Sequence, residues 1–283
     1  MEYNIISFGI SSKKDIDFLI KQRDLFKKYC LDDFKFTVMV CREQRKLNNE
    51  YDELIKKLNE LNIFDYVYIP ECLKDNTMIQ NDMSVFVGYA LNESIKTLNK
   101  GKLFFVHLDL FAINTFSLKK IFKNCKIGGT EQVRNHVNYL WDNLLYIDTN
   151  QADINKISFK CGIVENVTCD TGGESFYYLK TLKDEEIKFI GKSSIVKSNF
   201  TCESIKILNN ENIIYELNIN EKNKEHLLTN YQIQKTELKP HWSEIHIDTF
   251  FHYRSFSGWH QNKSNIEIED INNKRKEIIL NIN

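Results

Sequence analysis

Two polar side chains, His107 and Asp109, interrupt the apolar run Lys102-Leu-Phe-Phe-Val-His-Leu-Asp-Leu-Phe-Ala112. The length of the run and its Phe/Val content predict a buried strand. Side chains at i and i+2 of a strand share a face, so the imidazole and the carboxylate are expected to project together. Burying a carboxylate beside an imidazole is costly unless a metal ion, an ion pair or a catalytic duty compensates. The plain alternative is a strand end that emerges into solvent.

The elements needed to position such a pair can be read upstream of it. Tyr3–Phe8 reads as a strand, and Lys13–Tyr29 as an amphipathic helix with Ile16, Leu19, Ile20, Arg23 and Phe26 on one face. Phe34–Cys41 is a second strand, Glu50–Leu61 a second helix, and Tyr66–Pro70 a short strand ended by proline. Asp82–Asn99 is a third helix, stopped by Lys100-Gly101. Strands alternating with helices imply an α/β fold with a mostly parallel sheet and right-handed crossovers. Ligands of such sheets bind at the carboxyl ends of strands, where His107 and Asp109 are expected to sit.

Further along, Gly128-Gly129 and Gly172-Gly173 carry turn signals, and Tyr139–Ile147 reads as a strand between them. The Asn/Lys-rich stretch Ile187–Glu244, with strand-like pieces such as Ile213–Leu217, reads as a variable excursion on the same domain. The expected organisation is one continuous domain in two halves, over 1–125 and 126–283.

At 283 residues and 42% hydrophobic content, the chain can bury a full core. A formal net charge of −1 gives no reason to expect a nucleic acid or an anionic membrane as partner. The seven cysteines are scattered and never form a CxxC pair, which argues for reduced thiols and a cytoplasmic setting. The N-terminal residues lack the basic region and cleavage site of a signal peptide, and no apolar run reaches membrane-spanning length. Two prolines beside abundant Lys, Asn and Ile suggest an AT-rich genome, such as that of a virus, a phage or a low-GC organism.

Three motifs in order carry a family resemblance. Gly88-Tyr-Ala-Leu-Asn-Glu-Ser-Ile95, followed by Lys100-Gly101 and the His107/Asp109 run, resembles the core of GT-A nucleotide-sugar glycosyltransferases, in which a strand ends in Asp-x-Asp. Phe250-Phe-His-Tyr-Arg-Ser-Phe-Ser-Gly-Trp259 is similar to the His-x-x-Gly-x-x-Lys-Pro-Trp ending of glycogenin-like members, without the Lys-Pro pair but with Lys263 nearby. Cys169-Asp-Thr-Gly-Gly173 lies where such enzymes place an acidic acceptor residue. Trp141, Asp170–Gly173 and His252–Arg254 together also resemble glycosyltransferase-like proteins of large viruses and phages.

The resemblance implies a GT-A-like sheet and sugar transfer from a nucleotide-diphosphate donor to a glycan or protein acceptor. It makes Asp109 and His252 the metal ligands, with His107 in place of the first aspartate of the motif. One carboxylate, one imidazole and phosphate oxygens suit Mn²⁺ or Mg²⁺, with the imidazole tilting the choice towards Mn²⁺. Phe8, Gly9, Asn92, His107, Arg254, Trp259 and Lys263 fall on the donor side, and Trp141, Gly172 and Gly173 on the acceptor side. Asp170 is the candidate base that takes the acceptor proton.

Plainer roles stay open beside these: a turn aspartate for Asp170, core packing for the tryptophans, and exposed polar residues for Arg254 and Asn92. An inactive GT-A-like protein that binds glycan or nucleotide is the alternative from another class, kept open by His107. A Rossmann dehydrogenase or methyltransferase is disfavoured because no Gly-x-Gly-x-x-Gly follows the first strand, and no P-loop motif occurs.

Overall fold

The computed structural model describes residues 3–10, 13–40, 48–71, 83–196, 199–203, 205–236, 242–253 and 266–283. In chain order the first half contains β1 (Tyr3–Ile10), α1 (Ile16–Tyr29), β2 (Phe34–Val40), α2 (Asn48–Leu61), β3 (Tyr66–Tyr68), α3 (Met83–Thr97), β4 (Lys102–His107) and β5 (Leu110–Ala112). Next come α4 (Leu118–Ile121), β6 (Ile127–Arg134), β7 (Val137–Asp148), β8 (Gly162–Val164), β9 (Val167–Cys169) and α5 (Ser175–Leu179). The last part holds β10 (Ile187–Val196), β11 (Asn199–Glu203), β12 (Ile205–Ile207), α6 (Glu211–Tyr215), α7 (Glu221–Lys235), β13 (Glu244–His246), β14 (Phe250–His252) and α8 (Ile266–Asn281).

The central sheet has the order β11-β10-β6-β7-β4-β1-β2-β3, with β7 and β11 running against the other strands. This is the mixed, mostly parallel sheet flanked by helices that the sequence predicts. The alternation of β4 shows why the sheet is covered on both sides. Phe104 and Val106 join a core with Phe18, Leu19 and Phe26 of α1 and Leu54 and Leu58 of α2. Leu103 and Phe105 join a second core with Phe86, Ala90, Leu91 and Ile95 of α3. Strands buried on both faces must read as continuous apolar runs, and β4 does.

A smaller antiparallel sheet, β12-β13-β14-β5, continues from the end of β4. Its presence corrects the expected single strand over 102–112. The chain turns at Leu108-Asp109, and β5 leaves the central sheet to pair with β14 instead. His107 and Asp109 therefore meet across a turn rather than on one face of a strand.

Three further expectations change. Gly128 and Gly129 lie inside β6, not in a turn: Gly128 packs against the Lys188 carbonyl and Phe122, and Gly129 sits at φ +145° where the β6–β7 ladder shifts register. Ile213–Leu217 begins in α6, capped by the Asn210 side chain on the Asn212 amide, rather than in a strand. The stretch read as a variable excursion contributes β10, which pairs in parallel with β6 and extends the central sheet. Short-range composition misled here, because polar residues on one side of a strand do not stop its backbone from pairing.

Gly172-Gly173 does form the expected turn, leading into α5. At Gly172, φ is +97°, and an added Cβ would lie 1.9 Å from the Leu140 carbonyl oxygen. Gly172→Ala is therefore expected to destabilise the fold by on the order of 1–3 kcal/mol or more, measured by chemical denaturation. An unchanged midpoint would contradict this packing of the turn against β7.

Candidate active site

The site is built where β4 ends and the small sheet begins. Pairing of β5 with β14 sets His252 opposite Leu110, and the Tyr253 amide donates to the Asp109 carbonyl at 2.8 Å. These backbone bonds bring the last part of the chain against the turn that carries Asp109. The side chains follow: His252 Nε2 lies 3.5 Å from Asp109 Oδ1, and His107 Nδ1 lies 2.6 Å from the same oxygen. An ionised carboxylate only accepts, so the His107 Nδ1 carries the proton and donates it to Asp109.

Asp109 is buried between these imidazoles, while the His107 side chain is 30% exposed and opens the group to solvent. Burial acts to raise the Asp109 carboxyl, but His107 and His252 outweigh it and hold the group well below the usual carboxylate range. Burial acts to lower His252, yet Asp109 and Glu244 push it up to about 9. His107 is raised in the same way, with Asp109 overcoming its burial.

The turn is fixed from behind by Gln22, a fully buried residue of α1. Its amide donates to the carbonyls of His107 at 2.8 Å and Leu110 at 2.6 Å, bracketing the turn, while its Oε1 accepts from Ser7 at 2.5 Å. Every polar atom of the Gln22 amide is thereby used. Gly9 (φ +97°) supports the other flank, since a Cβ there would lie 2.9 Å from His107 Nε2. The Phe8 ring packs edge-on against His107 with centroids 5.2 Å apart. Both residues expected on the donor side thus border His107, Phe8 as a buried packing group.

A bulge in β7 supplies the opposite wall. The β6 partners Gly129 and Thr130 pair with Leu145 and Trp141, which pushes residues 142–144 out of that ladder, just past the last β4 pair, Val106–Leu144. Trp141 meets the His252 ring edge-on at 5.8 Å between centroids, so this tryptophan belongs to the site. Asp142 is coupled electrostatically to His107, Asp170 and Asp109, and burial first, then Asp170 and Asp109, push its carboxyl up to about 7 against the opposing His107. The amide of Asn143 and the hydroxyl of Thr130, at the same register shift, are buried with no protein partner among the described residues. Bulges of this kind re-aim side chains, and buried polar atoms left open are commonly met by water.

Other expected site residues have partners of their own. Asp170 pairs with Arg134 at 3.2 Å and accepts from the Thr171 amide at 2.9 Å. Asn92 holds the 158–159 segment, accepting from the Phe159 amide at 2.7 Å and donating to Ser158 at 3.2 Å. Gly172 and Gly173 pack against the Leu140 carbonyl and Cys169. Arg254, Trp259 and Lys263 lie outside the described residues.

Sequence reasoning missed Gln22, Asp142, Glu244 and His246. Glu244 and His246 are fully buried on β13, and their ligand atoms lie with that of His252 within 4.8 Å of one another. The signal for them was present as Glu244-Ile-His246 alternation followed shortly by Phe250-Phe-His252, a hairpin pattern with polar groups on one face.

The donor set suits a divalent cation. Ligand atoms bound to one ion at about 2.1 Å stand about 3.0–3.5 Å apart, and Asp109 Oδ1 and His252 Nε2 are 3.5 Å apart. A carboxylate oxygen and an imidazole nitrogen are both ligands of divalent cations.

No protein-family model matches the chain, and no curated protein matches its sequence. Among solved structures it is similar to a galactosyltransferase, LgtC, in complex with donor and acceptor sugar analogues, at 10% identity and TM-score 0.37 over 67% of this chain and 73% of that one. An active-site mutant of LgtC gives 10% identity and 0.39 over 67% and 72%. A putative nucleotide-diphospho-sugar transferase from Desulfovibrio desulfuricans G20 gives 8% identity and 0.42 over 81% and 95%. Superpositions this loose carry no weight on activity. No helix among the described residues is long and apolar enough to cross a membrane.

The Gln22 clamp can be tested directly. Gln22→Met keeps the volume but leaves the His107 and Leu110 carbonyls buried without donors, at about 1–3 kcal/mol for each group. A loss of that order in unfolding free energy is expected, together with weaker Mn²⁺ binding. Unchanged Mn²⁺ affinity in a folded variant would show that the clamp does not hold Asp109.

Proposed function

We propose that this protein is a glycosyltransferase that moves a sugar from a nucleotide-diphosphate donor to an acceptor hydroxyl with the help of a divalent cation. The observation that carries this reading is the buried Asp109 carboxylate at the carboxyl end of a sheet strand, with His252 3.5 Å away on a remote hairpin. Breaking a glycosyl–phosphate bond leaves charge on a diphosphate, and a cation at this pair would supply Lewis-acid stabilisation of that charge.

The chain's own residues do the rest. Asp109 and His252 hold the cation, and His107, donating from Nδ1, keeps Asp109 ionised and oriented. Its partly exposed ring also stands where a ribose or phosphate oxygen would approach. On the opposite wall Trp141 offers an aromatic edge to a sugar ring.

The acceptor must lose a proton as it attacks. Asp142 stands in the β7 bulge beside Trp141 and has no ion-pair partner among the described residues, so we take it as the base. Asp170, clamped by Arg134, borders the same side and shapes it.

Two measurements test the reading. Hydrolysis of UDP-, GDP- and TDP-sugars is expected to require Mn²⁺ or Mg²⁺ and to vanish in Asp109→Asn, whose circular dichroism stays that of a folded protein although its thermal midpoint falls with the loss of the buried ion pairs. Binding of nucleotide sugar without any turnover would instead support an inactive binding protein. Asp142→Asn is expected to cut transfer by about 10²–10⁴ while donor and cation affinities hold. If Asp170→Asn produces that loss and Asp142→Asn does not, the base is Asp170.

A further inference from the structure

A histidine that binds a metal through one ring nitrogen needs an acceptor for the proton on the other, or its ring is free to turn and its tautomer is unset. The acceptor here comes from a residue with no role in the reaction described above. Glu244 is fully buried, and its Oε2 lies 3.3 Å from His252 Nδ1 and 3.6 Å from His246 Nε2. We propose that Glu244 is a positioning residue that fixes the ring of His252 so that Nε2 faces the cation shared with Asp109. This inference rests on the cation site of the proposed function but not on sugar transfer.

The backbone explains how the three side chains meet. Glu244 and His252 are direct partners in the antiparallel ladder of β13 and β14, so their side chains stand on the same face. His246, two residues on, shares that face with Glu244. The connection is a tight hairpin in which Ile247 and Asp248 both take positive φ, at 46° and 52°, and the Thr249 amide donates to the His246 carbonyl at 3.0 Å. Positive φ at a β-branched residue is costly, and strain of this kind persists only where the surroundings over-determine it. In this hairpin the strained turn fixes the register that sets Glu244 against His252.

Energetics point the same way. An ionised carboxylate in an apolar interior is expensive, and an apolar residue would fill a position in β13 without that cost. Glu244 has two imidazole neighbours, His252 and His246. The His252 ring carries a carboxylate at each nitrogen, Glu244 on the enclosed side and Asp109 on the side that opens through His107. An ion arriving with its donor reaches the Nε2 side, which leaves Nδ1–H to Glu244. The competing arrangement is direct coordination, since Glu244, His246 and His252 also present ligand atoms within 4.8 Å of one another.

The test uses Mn²⁺ alone, with binding followed by the loss of the free-ion EPR signal. Glu244→Gln keeps the shape and removes the charge, and it is expected to weaken Mn²⁺ binding about 10–100-fold. In a His252→Ala background the same change is expected to have no further effect, which a merely structural role would not produce. In the wild-type protein loaded with Mg²⁺, ¹⁵N NMR of the histidine rings is expected to show His252 protonated at Nδ1, a readout that needs no variant. Equal Mn²⁺ affinity in wild type and Glu244→Gln would overturn the proposal, as would a Nε2-protonated His252. So would a chelator-resistant ion that survives Asp109→Asn and is released by Glu244→Gln, because Glu244 would then be a ligand. A protein that binds Mn²⁺ as expected but turns over no nucleotide sugar would sink the proposed function and leave this inference standing.

Discussion

The pairing of β5 with β14 is the constraint on which the rest of the site depends. Asp109 ends the turn after β4, and the next residue begins the strand that receives His252 from the far end of the chain. The hydrogen bond from the Tyr253 amide to the Asp109 carbonyl closes this junction. A carboxylate and an imidazole brought together by backbone bonds hold their spacing better than a pair that meets through side chains alone. The buried position of Asp109 is tolerable because His107 and His252 face it from two sides.

Three supports converge on this junction from different parts of the fold. Gln22 reaches from α1 to both carbonyls of the turn, so the helix covering one face of the sheet also locks the site. Gly9 lets β1 pass close enough for the His107 ring to lie against its backbone. The hairpin of β13 and β14 carries Glu244 and His246 beneath His252. The three are side-chain, steric and electrostatic supports respectively, acting on the turn carbonyls, the His107 ring and the His252 ring.

Much of this was legible in the sequence because it depends on local pattern. Alternating apolar strands and helices gave the first half of the sheet to within a few residues at most boundaries. The two polar residues in the most apolar strand pointed to the site, and His252 was singled out by the resemblance of Phe250–Trp259 to a family motif. What escaped depends on pairings between distant segments. The break at Leu108-Asp109 leaves no composition signal, because β5 stays apolar while it changes sheets. Asp142 owes its place to a register shift in β7, which one strand's sequence does not encode by itself. Gln22 sits on a helix face that looks interrupted by a polar residue, and only the carbonyls of the turn explain it. Glu244 and His246 lay at the edge of a polar stretch whose burial follows from the second sheet.

The central claim is that Asp109 and His252 share one divalent cation. Anomalous diffraction at the manganese edge from crystals grown with Mn²⁺ and a nucleoside diphosphate tests it most directly. The account predicts a single strong peak within about 2.3 Å of both an Asp109 carboxylate oxygen and His252 Nε2. A peak enclosed by Glu244 and His246 on the Nδ1 side of the ring, or no peak near Asp109, would contradict it.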